Sequence, residues 1–254
     1  MHMTLEASEI SYDYIELGDG QAPVLFLHGA LGVRGQFDAL RKQFVDRSQL
    51  AIDFPSHGES RITSGAFNSE RLANDVLALL DALKIEQVDI IGHSMGGYVG
   101  LVLAHIAPAR VQRIVTLGTK FYWTDEVIAL ASKGLDAAGL KSQSQRFYDA
   151  LVAAHSASGA DETLRQTQSL MGDFARWQLS EEMVRAANVP LMICAGDRDA
   201  LVPAAEVMRL FAATDTKRNA VAILPSTPHP LQQLPVACFE HAVRRFWQAA
   251  GAKV

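Results

Sequence analysis

Two apolar rhythms run along the chain, and the places where one gives way to the other mark most of its elements. Residues 11–17 alternate polar and apolar side chains as a half-exposed strand does, and Gly18-Asp19-Gly20 supplies a turn. Val24-Leu25-Phe26-Leu27 is apolar without interruption, the pattern of a strand covered on both faces, and Phe37, Leu40 and Phe44 then recur at helical spacing. Leu50-Ala51-Ile52 reads as another strand, running into a loop of Pro55, Ser56 and Gly58. Leu72, Val76, Leu79, Leu80 and Leu83 recur at three and four residues, which predicts an amphipathic helix over 68–83 with Asn68 or Ser69 as its N-cap.

The rhythm continues with a strand through Val88-Asp89-Ile90-Ile91, a helix whose packed face is Tyr98, Leu101, Val102, His105 and Ile106, and a strand from Val111 to Leu117. Past Gly118 it breaks. Residues 121–187 carry helical patterns and no convincing strand, and the sheet resumes only at 189–195 and again at 221–224. Strand–helix alternation without tandem hairpins predicts an α/β fold with a largely parallel sheet and helices on both faces, whose ligands bind at the carboxyl ends of the strands. The expected organisation is one core domain, residues 1–120 and 188–254, interrupted by a helical cap over 121–187.

Composition narrows the partners. The chain has 254 residues, 49% of them hydrophobic and 20% charged, enough to bury one substantial core. A formal net charge of -5 offers no basic field for nucleic acid or an anionic membrane. The first residues lack the charged-then-apolar profile of a secretory signal, and no run approaches the length of a membrane span, so a cytoplasmic location is expected. His2-Met3 has the look of a cloning remnant, and no function is assigned to it. Cys194 in a strand pattern and Cys238 in a helical one read as two buried thiols, with no neighbouring ligand at zinc-site spacing, so no metal is expected.

The chemistry concentrates where strands end. Gly92-His93-Ser94-Met95-Gly96 joins a strand to a helix through a sharp turn, and the flanking glycines leave the Ser94 hydroxyl exposed at the carboxyl edge as a candidate nucleophile. Gly-x-Ser-x-Gly alone is only moderately specific, arising by chance about 0.1 times in a chain of this composition, so context decides. A phosphate cradle finds no support, since no Gly-Lys-Ser/Thr follows. His28-Gly29-Ala30-Leu31 ends the strand before it, at the same edge, where freed N–H groups can face a developing oxyanion; Ala30 and Met95 are the donors expected, with His28 bracing its loop. Asp53 and His57 read as fastenings of a turn rather than an acid–base pair. Asp199, with Asp197 as its rival, follows the next strand, and His229 sits between Pro228 and Pro230 after the last. His93 reads as packing, His105 as a helix-end residue, and His155 and His241 as solvated helical positions.

A serine, an aspartate and a histidine on loops after successive parallel strands converge at one edge, and suit acyl transfer: His229 as base, Asp199 orienting it, Ser94 attacking. With His28-Gly29-Ala30-Leu31-Gly32, the run from Asp53 to Ser60, the Ser94 turn, Gly196-Asp197-Arg198-Asp199 and Pro228-His229-Pro230, the chain resembles the α/β-hydrolase superfamily over nearly its whole length. The resemblance implies a mostly parallel eight-stranded sheet, a helical cap and a serine hydrolase needing no cofactor. Pro55-Ser56-His57-Gly58 stands where the family often has Pro-Gly-His-Gly, and Tyr98 replaces the arginine typical of its menaquinone-pathway lyases. The expected substrate is a small carboxylic ester or thioester. Carbon–carbon bond hydrolysis of a diketone, or a ligand receptor on a hydrolase scaffold, are the alternatives. Expected pocket residues are His28, Gly29, Leu31, Lys120, Tyr122, Trp123, Phe147 and Trp177, with Phe121, Met171 and Phe174 as further candidates from the cap. Lys120 reads either as a ligand for an anionic group or as a side chain reaching to solvent.

Overall fold

The computed structural model describes residues 2–5, 10–18, 20–61, 67–133, 135–177, 179, 181–186 and 188–251, the side chains of 2–5, 175–177 and 186 excepted. Among these residues eight strands form one sheet: β1 (His2–Leu5), β2 (Ile10–Ile15), β3 (Val24–Leu27), β4 (Gln49–Ile52), β5 (Val88–His93), β6 (Val111–Leu117), β7 (Leu191–Gly196) and β8 (Ala220–Leu224). Their order is β1-β2-β4-β3-β5-β6-β7-β8. The first two pairings are antiparallel and the remaining ones parallel, so β3 to β8 all end at one edge.

Successive side chains of a strand face opposite ways, and this sheet buries both faces. Leu25 and Leu27 of β3, with Ile90 of β5, pack against Leu72, Val76 and Leu79 of α2 (Ser69–Ala82; α1 is the single turn Asp38–Arg41) and Val99 and Val102 of α3 (Met95–Ile106). Val24 and Phe26, with Ile91, pack the other way against Phe37, Leu40 and Phe44 and against Phe239, Val243 and Phe246 of a carboxyl-terminal helix, Val236–Gly251. Asn68 caps α2, its side chain accepting the Arg71 N–H at 2.8 Å.

Among the described residues, four helices stand between β6 and β7: α4 (Asp125–Ser132), α5 (Ala137–Ala154), α6 (Ala160–Trp177) and α7 (Glu181–Ala186). A further helix, α8 (Ala204–Ala213), joins β7 to β8. The helical insertion buries its own small cluster of Leu140, Leu151 and Leu164, while Phe174 and Met171 join the core beneath it.

Four details depart from the sequence reading. His105, expected on the packed face of α3, is exposed. β1 is a strand that its four residues did not announce, held by backbone pairing to β2 at the sheet edge. The segment 34–44 forms short turns, Arg34–Phe37, Asp38–Arg41 and Lys42–Phe44, instead of one helix. Cys194 is buried as expected, but Cys238 is exposed, because the helix carrying it turns Phe239 and Val243 to the sheet instead.

At the amino edge of the sheet Asp89 is wholly buried between two arginines, accepting from Arg47 at 2.8 Å and from Arg113 at 2.6 and 2.7 Å. Both guanidinium groups lie over the Trp247 ring, fastening the last helix to the strands. Removing one member of such a group strands the other charges away from water. Asp89→Ala should therefore lower unfolding stability by about 3 kcal/mol or more, read from urea denaturation; a loss within the scatter of surface variants would mean that water already solvates the arginines.

Candidate active site

The turn after β5 holds Ser94 at φ 51° and ψ -116°, a backbone conformation that a residue with a Cβ seldom adopts. Such strain persists only where the surroundings over-determine it. Here the Ser94 N–H donates to the Leu117 carbonyl at 2.8 Å, and its own carbonyl accepts from Thr119 Oγ1 at 3.0 Å and from the N–H groups of Gly97 and Tyr98. Two glycines make room. A Cβ on Gly96 would overlap the Leu27 carbonyl, and one on Gly92 would lie 2.5 Å from Gly97.

From Ser94 a line of hydrogen bonds runs across two further loops. His229 Nε2 lies 3.2 Å from Ser94 Oγ, and His229 Nδ1 lies 2.8 Å from Asp199 Oδ2. The other Asp199 oxygen accepts the N–H groups of Leu201 and Val202, both at 2.9 Å. Burial pushes the Asp199 carboxyl up, but the hydrogen bond and charge of His229 and the two amides outweigh it and hold the acid below its ordinary value. A carboxylate on Nδ1 leaves Nε2 free to take the hydroxyl proton. Asp197, the rival acid, is turned away: it accepts the Thr227 N–H at 3.1 Å.

The other buried histidines are braces. His28 accepts the Phe54 N–H at 2.9 Å and donates to the Gly29 carbonyl at 2.8 Å; burial pushes its pKa down to about 3. His57 accepts the Leu31 N–H at 3.2 Å and faces the Pro55 carbonyl, while Asp53 pairs with the Arg34 guanidinium and accepts the Arg34 and Glu59 amides. His93 donates to the His229 carbonyl at 3.0 Å, which fixes the loop carrying that residue and is more than the packing role its neighbours in sequence suggested. His155, read from the sequence as solvated, is 1% exposed and bonded at both ring nitrogens to the loops of Leu31 and Gly58. A helix-end position hid these contacts, which join residues about a hundred apart.

Ser94, Met95, Ala30 and His229 share the wall of a cavity of about 510 Å³. Met95 is the first residue of α3, where backbone N–H groups have no partner within the helix. Tyr98, Trp123, Met171 and Phe174 line the interior, and Leu130 and Leu201 stand at the mouth, both more than half exposed. Of the expected pocket residues, Lys120 and Trp123 reach this wall, as do the further candidates Met171 and Phe174, while Phe121 packs into the core. His28, Gly29 and Leu31 lie behind it in the loop, Tyr122 turns to donate to Glu181 at 2.8 Å, and Phe147 faces outward on α5 at 46% exposure. The Trp177 side chain lies outside the described residues. Lys120 is ion-paired with Glu206 at 2.7 Å, and Glu206 also accepts the Phe121 and Tyr122 N–H groups. Tyr98 and the segment 200–203 were missed as wall residues. Tyr98 at four residues past the serine lies one helical turn on, a spacing that does point it toward the same end.

A broader groove of about 640 Å³ lies at the opposite edge of the sheet, with no histidine or cysteine among its described lining residues. Among the described residues no three His, Cys, Asp or Glu side chains gather as a metal site would need, and no helix is long and apolar enough to cross a membrane.

A family model for the alpha/beta hydrolase fold matches residues 22–155. The dihydrolipoyllysine-residue acetyltransferase component of the acetoin cleaving system from Pseudomonas putida is 29% identical over 85% of this chain and 60% of its own length. The 3-oxoadipate enol-lactonase 2 of Acinetobacter baylyi is 31% identical over 46% of this chain and 44% of its own. The chain thus spans less than two thirds of either relative. Among solved structures, MGS-M2, an alpha/beta hydrolase enzyme from a Medee basin deep-sea metagenome library, superposes with a TM-score of 0.81 at 16% identity, over 100% of this chain and 98% of that one.

The buried imidazoles carry a consequence for acid stability. Burial holds His28 at about 3 and His93 at about 4, and pushes His57 and His155 down as well. In the unfolded chain each takes a proton near its ordinary value of 6.5. Below that pH the unfolded state binds more protons, so stability is lost as the pH falls from 6.5 toward the folded values. Urea denaturation at pH 7, 6 and 5 should show unfolding free energy dropping by more than about 1 kcal/mol per pH unit. A level profile would show that the folded chain protonates these rings freely.

Proposed function

Because the chain belongs to the alpha/beta hydrolase fold family, we propose that it is a serine hydrolase cleaving a small carboxylic ester or thioester with an apolar acyl group. The observation that carries this reading is the hydrogen-bonded line from Asp199 through His229 to Ser94 Oγ, opening into a cavity with mostly apolar walls. His229 takes the Ser94 proton as Oγ attacks the carbonyl carbon, and Asp199 stabilises the imidazolium that forms. The N–H groups of Ala30 and Met95 receive the oxyanion; removing such a donor typically loses about 3 kcal/mol of transition-state stabilisation. His229 then gives the proton to the leaving oxygen or sulfur. Water, activated by the same histidine, releases the acid and restores Ser94.

The insertion over 121–187 serves in this reading as a lid, its residues Trp123, Met171 and Phe174 giving the acyl group an apolar surface. With Lys120 neutralised by Glu206, the cavity favours an uncharged group over a carboxylate. The lactonase relative is named for a cyclic ester, in keeping with attack at an ester carbonyl.

Purified protein should hydrolyse nitrophenyl esters, with butanoate to octanoate preferred over acetate and over acyl chains ending in a carboxylate. Ser94→Ala should reduce kcat by roughly 10⁴-fold or more and Asp199→Asn by roughly 10³-fold or more. Undiminished turnover in Ser94→Ala would refute the assignment. Lys120→Met should leave the preference for uncharged chains in place; a selective loss of the carboxylate-bearing substrate in that variant would instead make Lys120 a substrate ligand.

A further inference from the structure

Beside the packing of Leu31 on the cluster of Leu140, Leu151 and Leu164, a polar side chain bonds the helical insertion to the loop of Ala30. His155 closes α5, and its Nδ1 accepts the Gly58 N–H at 2.8 Å while its Nε2 donates to the Leu31 carbonyl at 3.2 Å. His57 takes the other polar atom of the same residue, accepting the Leu31 N–H at 3.2 Å, and the two rings meet edge to face with centroids 5.5 Å apart. Around them the insertion is sewn to the 53–60 loop by Thr163 Oγ1 on the Ser56 carbonyl at 2.5 Å and Ser158 Oγ on the Ser60 carbonyl at 3.3 Å.

What these rings hold is a tight turn. The Gly32 N–H donates to the Gly29 carbonyl at 3.0 Å, which makes Ala30 and Leu31 its central residues. Leu31 sits at φ 58°, the region that favours glycine at that position. A leucine there carries backbone strain, and its peptide groups would relax by rotating if unheld. The relaxed turn would loosen the Gly32 bond to the Gly29 carbonyl and tilt the Gly29–Ala30 peptide about its remaining bond from His28; the N–H of that peptide is one of the two oxyanion donors proposed above.

We infer that His155 is a positioning residue, which by fixing the Leu31 carbonyl keeps the Ala30 N–H aimed at the oxyanion. The inference rests on acyl transfer at Ser94. It gives the insertion a part in the chemistry beyond covering the substrate: the same residue that closes α5 sets the geometry of the turn. Catalytic donors misplaced by a fraction of an ångström stabilise the transition state less while binding the ground state almost equally.

Two substitutions separate the bonds of the ring. In His155→Asn the amide oxygen replaces Nδ1 and keeps the Gly58 bond but falls short of Leu31; in His155→Gln the longer amide reaches Leu31 and gives up Gly58. With a nitrophenyl ester, His155→Asn should lower kcat about tenfold with KM within about twofold. His155→Gln should return kcat to within about threefold of the parent, even though thermal unfolding shows it to be no more stable than the Asn variant. Parent kcat in His155→Asn, or kcat that follows Tm through both variants, would overturn the inference alone. A parent enzyme whose turnover survives Ser94→Ala would overturn the hydrolase reading and this inference with it.

Discussion

The backbone of Ser94 is the constraint on which the rest of the edge depends. At φ 51° the chain reverses within one residue, so β5 passes directly into α3 and the serine side chain is left standing at their junction. That reversal is possible only because Gly92 meets Gly97 and Gly96 meets the Leu27 carbonyl without Cβ atoms. The second contact does more than relieve a clash. It sets α3 against the end of β3, and so fixes how far the His28–Gly32 loop stands from the serine. The bonds to Leu117 and Thr119 do the same for the end of β6. Three strand ends are thereby registered against one strained residue.

Histidine is used in two ways around that edge, and the difference separates brace from reactive group. His28, His57 and His155 each place one ring nitrogen against an N–H and the other against a carbonyl, an arrangement that only the neutral ring satisfies. Burial reinforces it by disfavouring the cation. His229 faces a carboxylate and a hydroxyl instead, at 20% side-chain exposure beside the cavity. A ring so placed has a carboxylate on one nitrogen and the proton to be moved on the other, the geometry a general base needs.

What the sequence made legible was whatever depends on local pattern. Strand runs, the helix over 69–82 with its Asn68 cap, and the glycine-flanked serine are all written in contiguous residues. Their order along a parallel sheet was enough to bring Ser94, Asp199 and His229 together. The cavity wall was legible only in part, because the helices of the insertion present faces chosen by contacts with distant partners: Trp123 turns inward onto Phe174, while Phe147 on α5 turns to solvent. Glu206 pairing with Lys120 and His155 reaching Leu31 are likewise contacts across 86 and 124 residues, for which no spacing rule exists.

The segment from Asp199 to Pro203 shows why site and cavity cannot vary independently. Leu201 and Val202 give their N–H groups to the Asp199 carboxylate, and the same residues form one side of the cavity. Glu206, in the first turn of α8, holds the chain at 120–122 where the insertion begins. A change of side chain in 200–203 that enlarges the wall therefore also disturbs the amides that keep Asp199 ionised, and a shift of α8 moves the insertion with it. Within an apolar enclosure those few amide bonds count for more than they would in water, since little solvent is present to replace them. The architecture thus ties reshaping of the acyl surface to the electrostatics of His229, and leaves α4 with its mouth residue Leu130, which among the described residues shares no bond with that group, as the part of the wall freer to change.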